Sequence, residues 1–425
     1  MTVEDHAHEI VPDGLGQVCR GLVAAVNPTG AASRQQVTVY GTSEDPSRDW
    51  SDLGARTMRV TRIEVYGYDL HYIGVEYVMS GGRAVRALPS TVVRIMTDQG
   101  IDGWGETCPL GQTYLPAFAE GARAALRELA PALIGTDPRN LAMVWERLDR
   151  TLRGHLYAKS PLDVACWDLL GRATGQPLAT LLGGRRQERY PLYVAIPLGS
   201  ADEMAAHVLA QRAAGIHRFQ LKIGADPRED AARVRHVVEV TDADDVVIAD
   251  ANGGWRVQDA ITAARLLEPL ERVYLEQPCP TLEECAAVRR TTTLPMICDE
   301  IVTDTPSLLA AVQQAGASGV NLKISRVGGL SAARIIRDVC EALGTSLTIE
   351  DTWGGDLTTA AVSHLAATVR PELLFTVSFM NDWTREHIAG YQPRSRDGWG
   401  APPSGSGLGV EVDVEALGRP LFIAE

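Results

Sequence analysis

The stretch "HRFQLKIG", His217–Gly224, sets an apolar residue at every second position, Phe219, Leu221 and Ile223, and closes on a glycine. Alternation with period two marks a strand rather than a helix. Within it stands Lys222, a charged residue with an apolar neighbour on each side. Seven further short β-rich runs share the pattern: "YPLYVAIPL" (190–198), "DVVIADAN" (245–252), "RVYLEQP" (272–278), "LPMICDE" (294–300), "GVNLKIS" (319–325), "SLTIEDTW" (346–353) and "LLFTVSF" (373–379). Helical stretches lie between them, among them "DEMAAHVLAQRAAG" (202–215), "PREDAARVRHVVEV" (227–240) and "GLSAARIIRDVCEALG" (329–344). Parallel neighbours need a crossover helix each time, so eight strands alternating with helices predict a parallel α/β barrel over 188–404. An open doubly wound sheet is the competitor, but no G-x-G-x-x-G follows the first strand.

Upstream, residues 58–187 read as an α+β capping domain. Strand patterns "RVTRIEVYGYDL" (59–70) and "STVVRIMTDQGIDGWGE" (90–106) precede helical patterns at 117–135, 140–152 and 160–184. The tail "GLGVEVDVEALGRPLF" (407–422) is expected to pack back on this domain, completing it with about residues 405–425. Residues 1–57, polar and rich in turn formers around "YGTSEDPSRDWSDLGART", read as a disordered extension.

Bulk properties narrow the partners. The formal net charge of -14 disfavours nucleic acid and anionic membranes. No apolar run approaches the roughly 18 residues of a membrane span. The acidic N-terminus lacks a signal pattern, so a cytoplasmic location is expected. Seven scattered cysteines without a C-x-x-C pair argue against a disulfide framework or a zinc site.

Barrel active sites form at the carboxyl ends of the strands. There the chain places Lys222, Asp250, Glu276, Asp299, Lys323, and the group Glu350, Asp351 and Trp353. Singly, each carboxylate reads equally well as a solvated loop residue or helix cap. Asp250, Glu276 and Asp299, however, end three adjacent strands, where like charges need a cation between them. An all-oxygen set with room for water suits Mg²⁺, one per site. Lys222 and Lys323 end strands four apart in a ring of eight, so they face each other across the mouth. A substrate carboxylate held on the metal would set its α-carbon between them, and the metal would stabilise an enediolate once the α-proton leaves. Desolvation and a nearby cation are expected to lower a lysine pKa enough for base work.

The ordered set "LKIG", "IADANGGW", "YLEQP", "ICDE" and "NLKISRVGG" resembles the enolase superfamily, in its muconate lactonizing enzyme branch. The resemblance covers Met58 to the C-terminus and implies a modified TIM-type (β/α)7β barrel with an N-terminal α+β cap. It implies Asp250, Glu276 and Asp299 as Mg²⁺ ligands and Lys222 and Lys323 as the acid/base pair, with Gln220, Asn252, Glu300 and Glu350 beside them in support. Gln220 departs from the pattern, since the family often carries a lysine there. "EDTWGGD" (350–356), "YVMSGGR" (77–83) and "GQTYLP" (111–116) resemble the cis-3-hydroxy-L-proline dehydratases and their relatives, the proline betaine racemases.

This resemblance implies a Mg²⁺-dependent dehydration of cis-3-hydroxy-L-proline to Δ1-pyrroline-2-carboxylate. In that substrate the α-hydrogen and the 3-hydroxyl lie on opposite ring faces, which calls for anti elimination by two facing groups. Trp353, Asp351 and Tyr114 are the expected substrate contacts, Trp353 offering a π face and Asp351 a charge to the ammonium. The alternatives are a racemase or 2-epimerase of proline, hydroxyproline or their betaines, a muconate-type cycloisomerase, and a barrel that binds without catalysis. Strand seven lacks the histidine of acid-sugar dehydratases, and Asp382 stands alone where dipeptide epimerases use an aspartate pair. Related enzymes are commonly oligomeric, so a homo-oligomer is expected.

Overall fold

Eight short strands pair in chain order, each parallel to the next: Val194–Ile196, Arg218–Lys222, Val246–Asp250, Val273–Glu276, Met296–Cys298, Gly319–Lys323, Ser346–Glu350 and Leu374–Val377. The Tyr193 N–H donates to Val377 O at 2.9 Å, linking the first strand to the eighth. Seven helical crossovers join successive strands, while a 3₁₀ turn, Met380–Trp383, directly follows the eighth. The result is a (β/α)7β barrel under a cap. The computed structural model describes residues 57–425, so the reading of 1–57 as an extension lies outside the described residues apart from Thr57.

The second strand shows why the alternation forms here. Phe219, Leu221 and Ile223 are fully buried in the main core, whereas Gln220 and Lys222 bond to Glu276 and Asp250. One face of the strand is closed by apolar packing and the other carries polar groups inward. Local signals start the helices that follow. Asp226 caps Pro227–Glu239 with Pro227 in its first turn, and Thr281 with Glu284 forms a capping box on Leu282–Arg289.

The first barrel strand is shorter than its sequence pattern. Only Val194–Ile196 joins the ring, while Tyr190–Pro191 pairs with Trp399–Gly400 in a separate ladder. Pro191 has no N–H, and the Leu192 N–H is taken by Gly398 O at 2.8 Å, so this segment follows the C-terminal excursion.

The cap holds a four-stranded antiparallel sheet in the order Phe422–Ala424, Val60–His71, Ala87–Thr97, Asp102–Thr107. Ile63, Val65, Val93 and Ile95 face helices Ala119–Leu133, Leu141–Thr151 and Leu156–Thr174, while Tyr66, Leu70, Val92 and Trp104 join the barrel core. The third helix begins at Leu156, earlier than Ser160, and admits Pro161 in its second turn. It lies unusually close to the sheet. A Cβ on Gly103 would stand 2.3 Å from Ala165 O, and one on Gly105 2.0 Å from Pro161 O. Only glycine permits that approach, and it delivers Glu106 to the barrel.

Candidate active site

The strand ends place their charges in register. Lys222 is the pairing partner of Asp250, Asp250 of Glu276, and Lys323 of Glu350. Lys222 and Lys323 are 5% and 6% exposed, so each ammonium depends on protein partners. Lys222 Nζ lies 2.5 Å from Asp250 Oδ2. Lys323 Nζ lies 2.7 Å from Asp299 Oδ2 and 3.3 Å from Glu350 Oε1, and donates to the Tyr114 hydroxyl at 2.9 Å. Tyr114 in turn donates to Asp299 Oδ2 at 3.1 Å. Gln220 and Asn321 supply amide donors to Glu276 at 2.9–3.1 Å.

Both lysines line one pocket together with Tyr77, Tyr114, Glu350 and Trp353. It is narrow, with about 330 Å³ of empty space counted out into its mouth.

Among the described residues, no group of three or more His, Cys, Asp or Glu side chains is disposed to hold a metal ion as it stands. Each carboxylate instead takes its own partners, Lys222 for Asp250, two amides for Glu276, and Lys323 with Arg326 for Asp299. One expectation is corrected, the lowered pKa of Lys222. Burial, the largest single influence, works against its charge, but Asp250, Tyr77 and Glu276 together outweigh burial and the pKa is raised.

The donor set nonetheless fits a hard cation. Burial, then the charges of Asp250 and Asp299, push the Glu276 carboxyl well up, so the three groups feel one another. Burial and the Asp299 charge likewise raise Glu300 to about 7. Asp299 goes the other way: burial alone would raise it, but Arg326 and Lys323 hold it below the usual range. Asn252 Oδ1, Glu300 Oε2 and Asn321 Oδ1 are buried acceptors without a donor. Asn252 bonds to Asp250, Glu300 follows Asp299, and Asn321 bonds to Glu276, so the orphan oxygens cluster around the same carboxylates. Unsatisfied buried acceptors among carboxylates are what a divalent ion would satisfy.

On the seventh strand, Glu350 accepts from the Tyr193 hydroxyl. Burial, then the neighbouring Asp351 charge, raise its pKa well above the carboxylate range. Asp351 lines the pocket, but its oxygens are committed. Oδ2 accepts from Ser325 N–H and Oγ at 3.0 and 2.8 Å, and Oδ1 from Thr352 N–H at 2.7 Å. These bonds brace the loop after the seventh strand. Trp353 is buried in an aromatic wall, its ring centre 5.3 Å from Tyr77, 5.7 Å from Trp383 and 6.1 Å from Tyr72, with Nε1 unpartnered.

Sequence reasoning missed four groups. Arg326, buried three residues after Lys323, donates to Asp299 at 2.6 Å. Its place inside "NLKISRVGG" was a signal. Tyr193, just before the first barrel strand, and Trp383, in the 3₁₀ turn after the last, have nothing local to mark them. Glu106 reaches across from the cap, accepting from Gly355 N–H and Thr358 N–H at 3.0 Å each, from Tyr68 at 2.6 Å and from Ser90 at 2.7 Å. It anchors the helix start just behind Trp353, and the glycines around it were the available clue.

Comparison with known proteins agrees with this architecture. Residues 78–183 match the mandelate racemase/muconate lactonizing enzyme N-terminal domain, and residues 203–417 match the enolase C-terminal domain-like family. The chain is 43% identical to cis-3-hydroxy-L-proline dehydratase of Roseibium aggregatum, over 86% of this chain and 99% of that one. It is 28% identical to the N-succinyl-L-Arg/Lys racemase of Bacillus cereus, over 73% of this chain and 84% of the other. A mandelate racemase/muconate lactonizing enzyme of Roseovarius nubinhibens ISM, solved with magnesium, superposes with a TM-score of 0.84 at 36% identity, covering 86% of this chain and all (100%) of the other. Barrel, cap and matched domains together show that the chain belongs to the mandelate racemase/muconate lactonizing enzyme group of the enolase superfamily.

Proposed function

We propose that the chain dehydrates cis-3-hydroxy-L-proline to Δ1-pyrroline-2-carboxylate, with Mg²⁺ as cofactor. The observation that carries the reading is that two lysines from strands four apart line one narrow pocket, beside a set of carboxylates and orphan oxygens suited to a divalent ion. The 43% identical relative bears the name of that activity. Asp250, Glu276 and Asp299 would hold the ion, with Asn252, Glu300 and Asn321 beside them. When bound, Mg²⁺ would replace Lys222 and Lys323 as the countercharge of these carboxylates and offset charge building on the substrate carboxylate.

The residues of the chain do the rest. Lys222, in its neutral form once freed of Asp250, removes the α-proton, and the C–H electron pair becomes the ring C2–C3 double bond. The C3–O bond breaks as Lys323, still flanked by Glu350 and Tyr114, gives its proton to the hydroxyl, which leaves as water. The resulting enamine tautomerises to the imine. Burial of both lysines limits their exchange with bulk protons. Trp353, Tyr77 and Trp383 present π faces to the ring nitrogen.

Incubation with Mg²⁺ and cis-3-hydroxy-L-proline in deuterium oxide, followed by NMR, tests the reading. Loss of the 3-hydroxyl with appearance of the cyclic imine is expected. Deuterium at the α-carbon with the hydroxyl retained would instead establish the 2-epimerase reading, which the aromatic wall also suits.

A further inference from the structure

Two motifs over the pocket, "YVMSGGR" (77–83) and "GQTYLP" (111–116), enter the chemistry only through Tyr77 and Tyr114. One side chain holds them together. Tyr77–Val78 pairs with Ala84–Val85 as a hairpin whose turn contains Gly81 and Gly82 at φ +68° and +71°. Arg83 leaves that turn half-buried. Its Nε donates to Ser80 O at 3.0 Å, Nη2 to Ser80 Oγ at 2.5 Å and Asn252 O at 3.4 Å, and Nη1 to Thr113 O at 3.1 Å. The guanidinium also lies 5.8 Å from the centre of the Tyr114 ring.

Three segments therefore meet on one planar group: the hairpin, the loop carrying Tyr114, and the barrel loop after the third strand. The last two carry working parts. Tyr114 bonds Lys323 and Asp299, and Asn252 bonds Asp250 and Glu300. Ser80 is fully buried in a slot shaped by glycine, since a Cβ on Gly224 or Gly254 would stand 2.8 or 2.9 Å from the Ser80 Cβ. Lys222 and Lys323 are buried beneath these loops, so a substrate reaches them only as groups lining the pocket move.

We propose that Arg83 is the latch of the pocket, a positioning residue that closes both cap loops as one unit onto the barrel. Its bonds to Thr113 O and Asn252 O are the ones that opening breaks. A fork of fixed geometry can span three carbonyls at once, which a single ammonium cannot. The role as a substrate latch rests on the pocket's reading given above, whereas the coupling of the loops rests on the hydrogen bonds alone.

Hydrogen exchange by mass spectrometry on the full chain separates the two. In Arg83→Ala, peptides covering 77–85 and 109–116 should exchange about tenfold faster than in wild type, with Arg83→Lys intermediate. Arg86→Ala, which removes an exposed ion pair to Glu76 on the same hairpin, should leave them unchanged, as should helix Leu330–Leu343 in every variant. On cis-3-hydroxy-L-proline, KM should rise by more than kcat falls in Arg83→Ala. Unchanged loop exchange, acceleration spread through the barrel helices, or an equal effect from Arg86→Ala would each overturn the latch. Acceleration confined to the two loops, in a protein whose wild type does not turn over this substrate, would uphold the latch and remove the substrate.

Discussion

The barrel wall of the pocket and its cap wall are held in different ways. On the barrel wall, Lys222, Asp250 and Glu276 each end a paired strand, and the register alone makes them neighbours. On the cap wall, Tyr77, Met79, Leu110 and Tyr114 come from short elements and loops whose hold on the barrel passes through a few side chains, Arg83 and Glu106 among them. Groups that exchange protons sit where position is hardest to change, and groups that shape and admit the ligand sit where the chain can move.

Breaking the barrel wall should have the largest effect. Lys222→Ala and Lys323→Ala should each lower kcat by roughly 10²–10⁴-fold, the usual worth of a general acid or base, while far-UV circular dichroism stays as in wild type. Full turnover in either variant would end the assignment of the pair. Glu276→Gln sharpens the metal side of the same wall. Mg²⁺ at 100 times its Kd should stabilise wild type by about 2.7 kcal/mol, read as a rise in Tm that EDTA reverses, and the variant should lose that rise.

Between the walls stands Glu106. Glu106→Gln turns an amide against one of the N–H groups at Gly355 and Thr358 that the carboxylate now accepts. The expected loss is about 1–3 kcal/mol of stability, with a higher KM as Trp353 loses its anchor. A chemical denaturation curve together with steady-state kinetics checks both.

The smallest effect concerns the same junction, away from the chemistry. His364 is fully buried, accepts from Ala179 N–H through Nδ1 and lies 3.0 Å from Leu408 O through Nε2, so the neutral Nε2–H form fits both. Burial pushes its pKa down to about 4 from an ordinary 6.5. Stability from the neutral ring is therefore complete above pH 6.5 and is lost as pH falls toward 4, about 1.4 kcal/mol by pH 5.5. Asp163 and Asp168, raised to about 6 mainly by burial, act oppositely over this window, since the folded protein binds their protons first. The comparison of wild type with His364→Gln isolates the histidine: between pH 7 and 5.5 the Tm of wild type should lose ground relative to that of the variant.

Much of the barrel wall was legible in the sequence. Alternation identified the strands, and the charged residue closing each one named Lys222, Asp250, Glu276, Asp299 and Lys323 before any contact was known. The reading failed where a residue's role depends on a partner far along the chain. Asp351 is marked by its place at a strand end, but its bond to Ser325 in the preceding barrel loop is not. The strand at Tyr190 looked nine residues long until the excursion near Gly398 claimed its first part.

Periodicity and strand ends are local properties, so the sequence by itself determined the ring, the order of its charges and which lysines share a mouth. Which countercharge each group takes, how Glu106 and Arg83 bind cap to barrel, and how deeply the two lysines are covered were decided only in the tertiary structure. Those outcomes depend on distances between segments up to 252 residues apart, as from Glu106 to Thr358, and no local pattern encodes them.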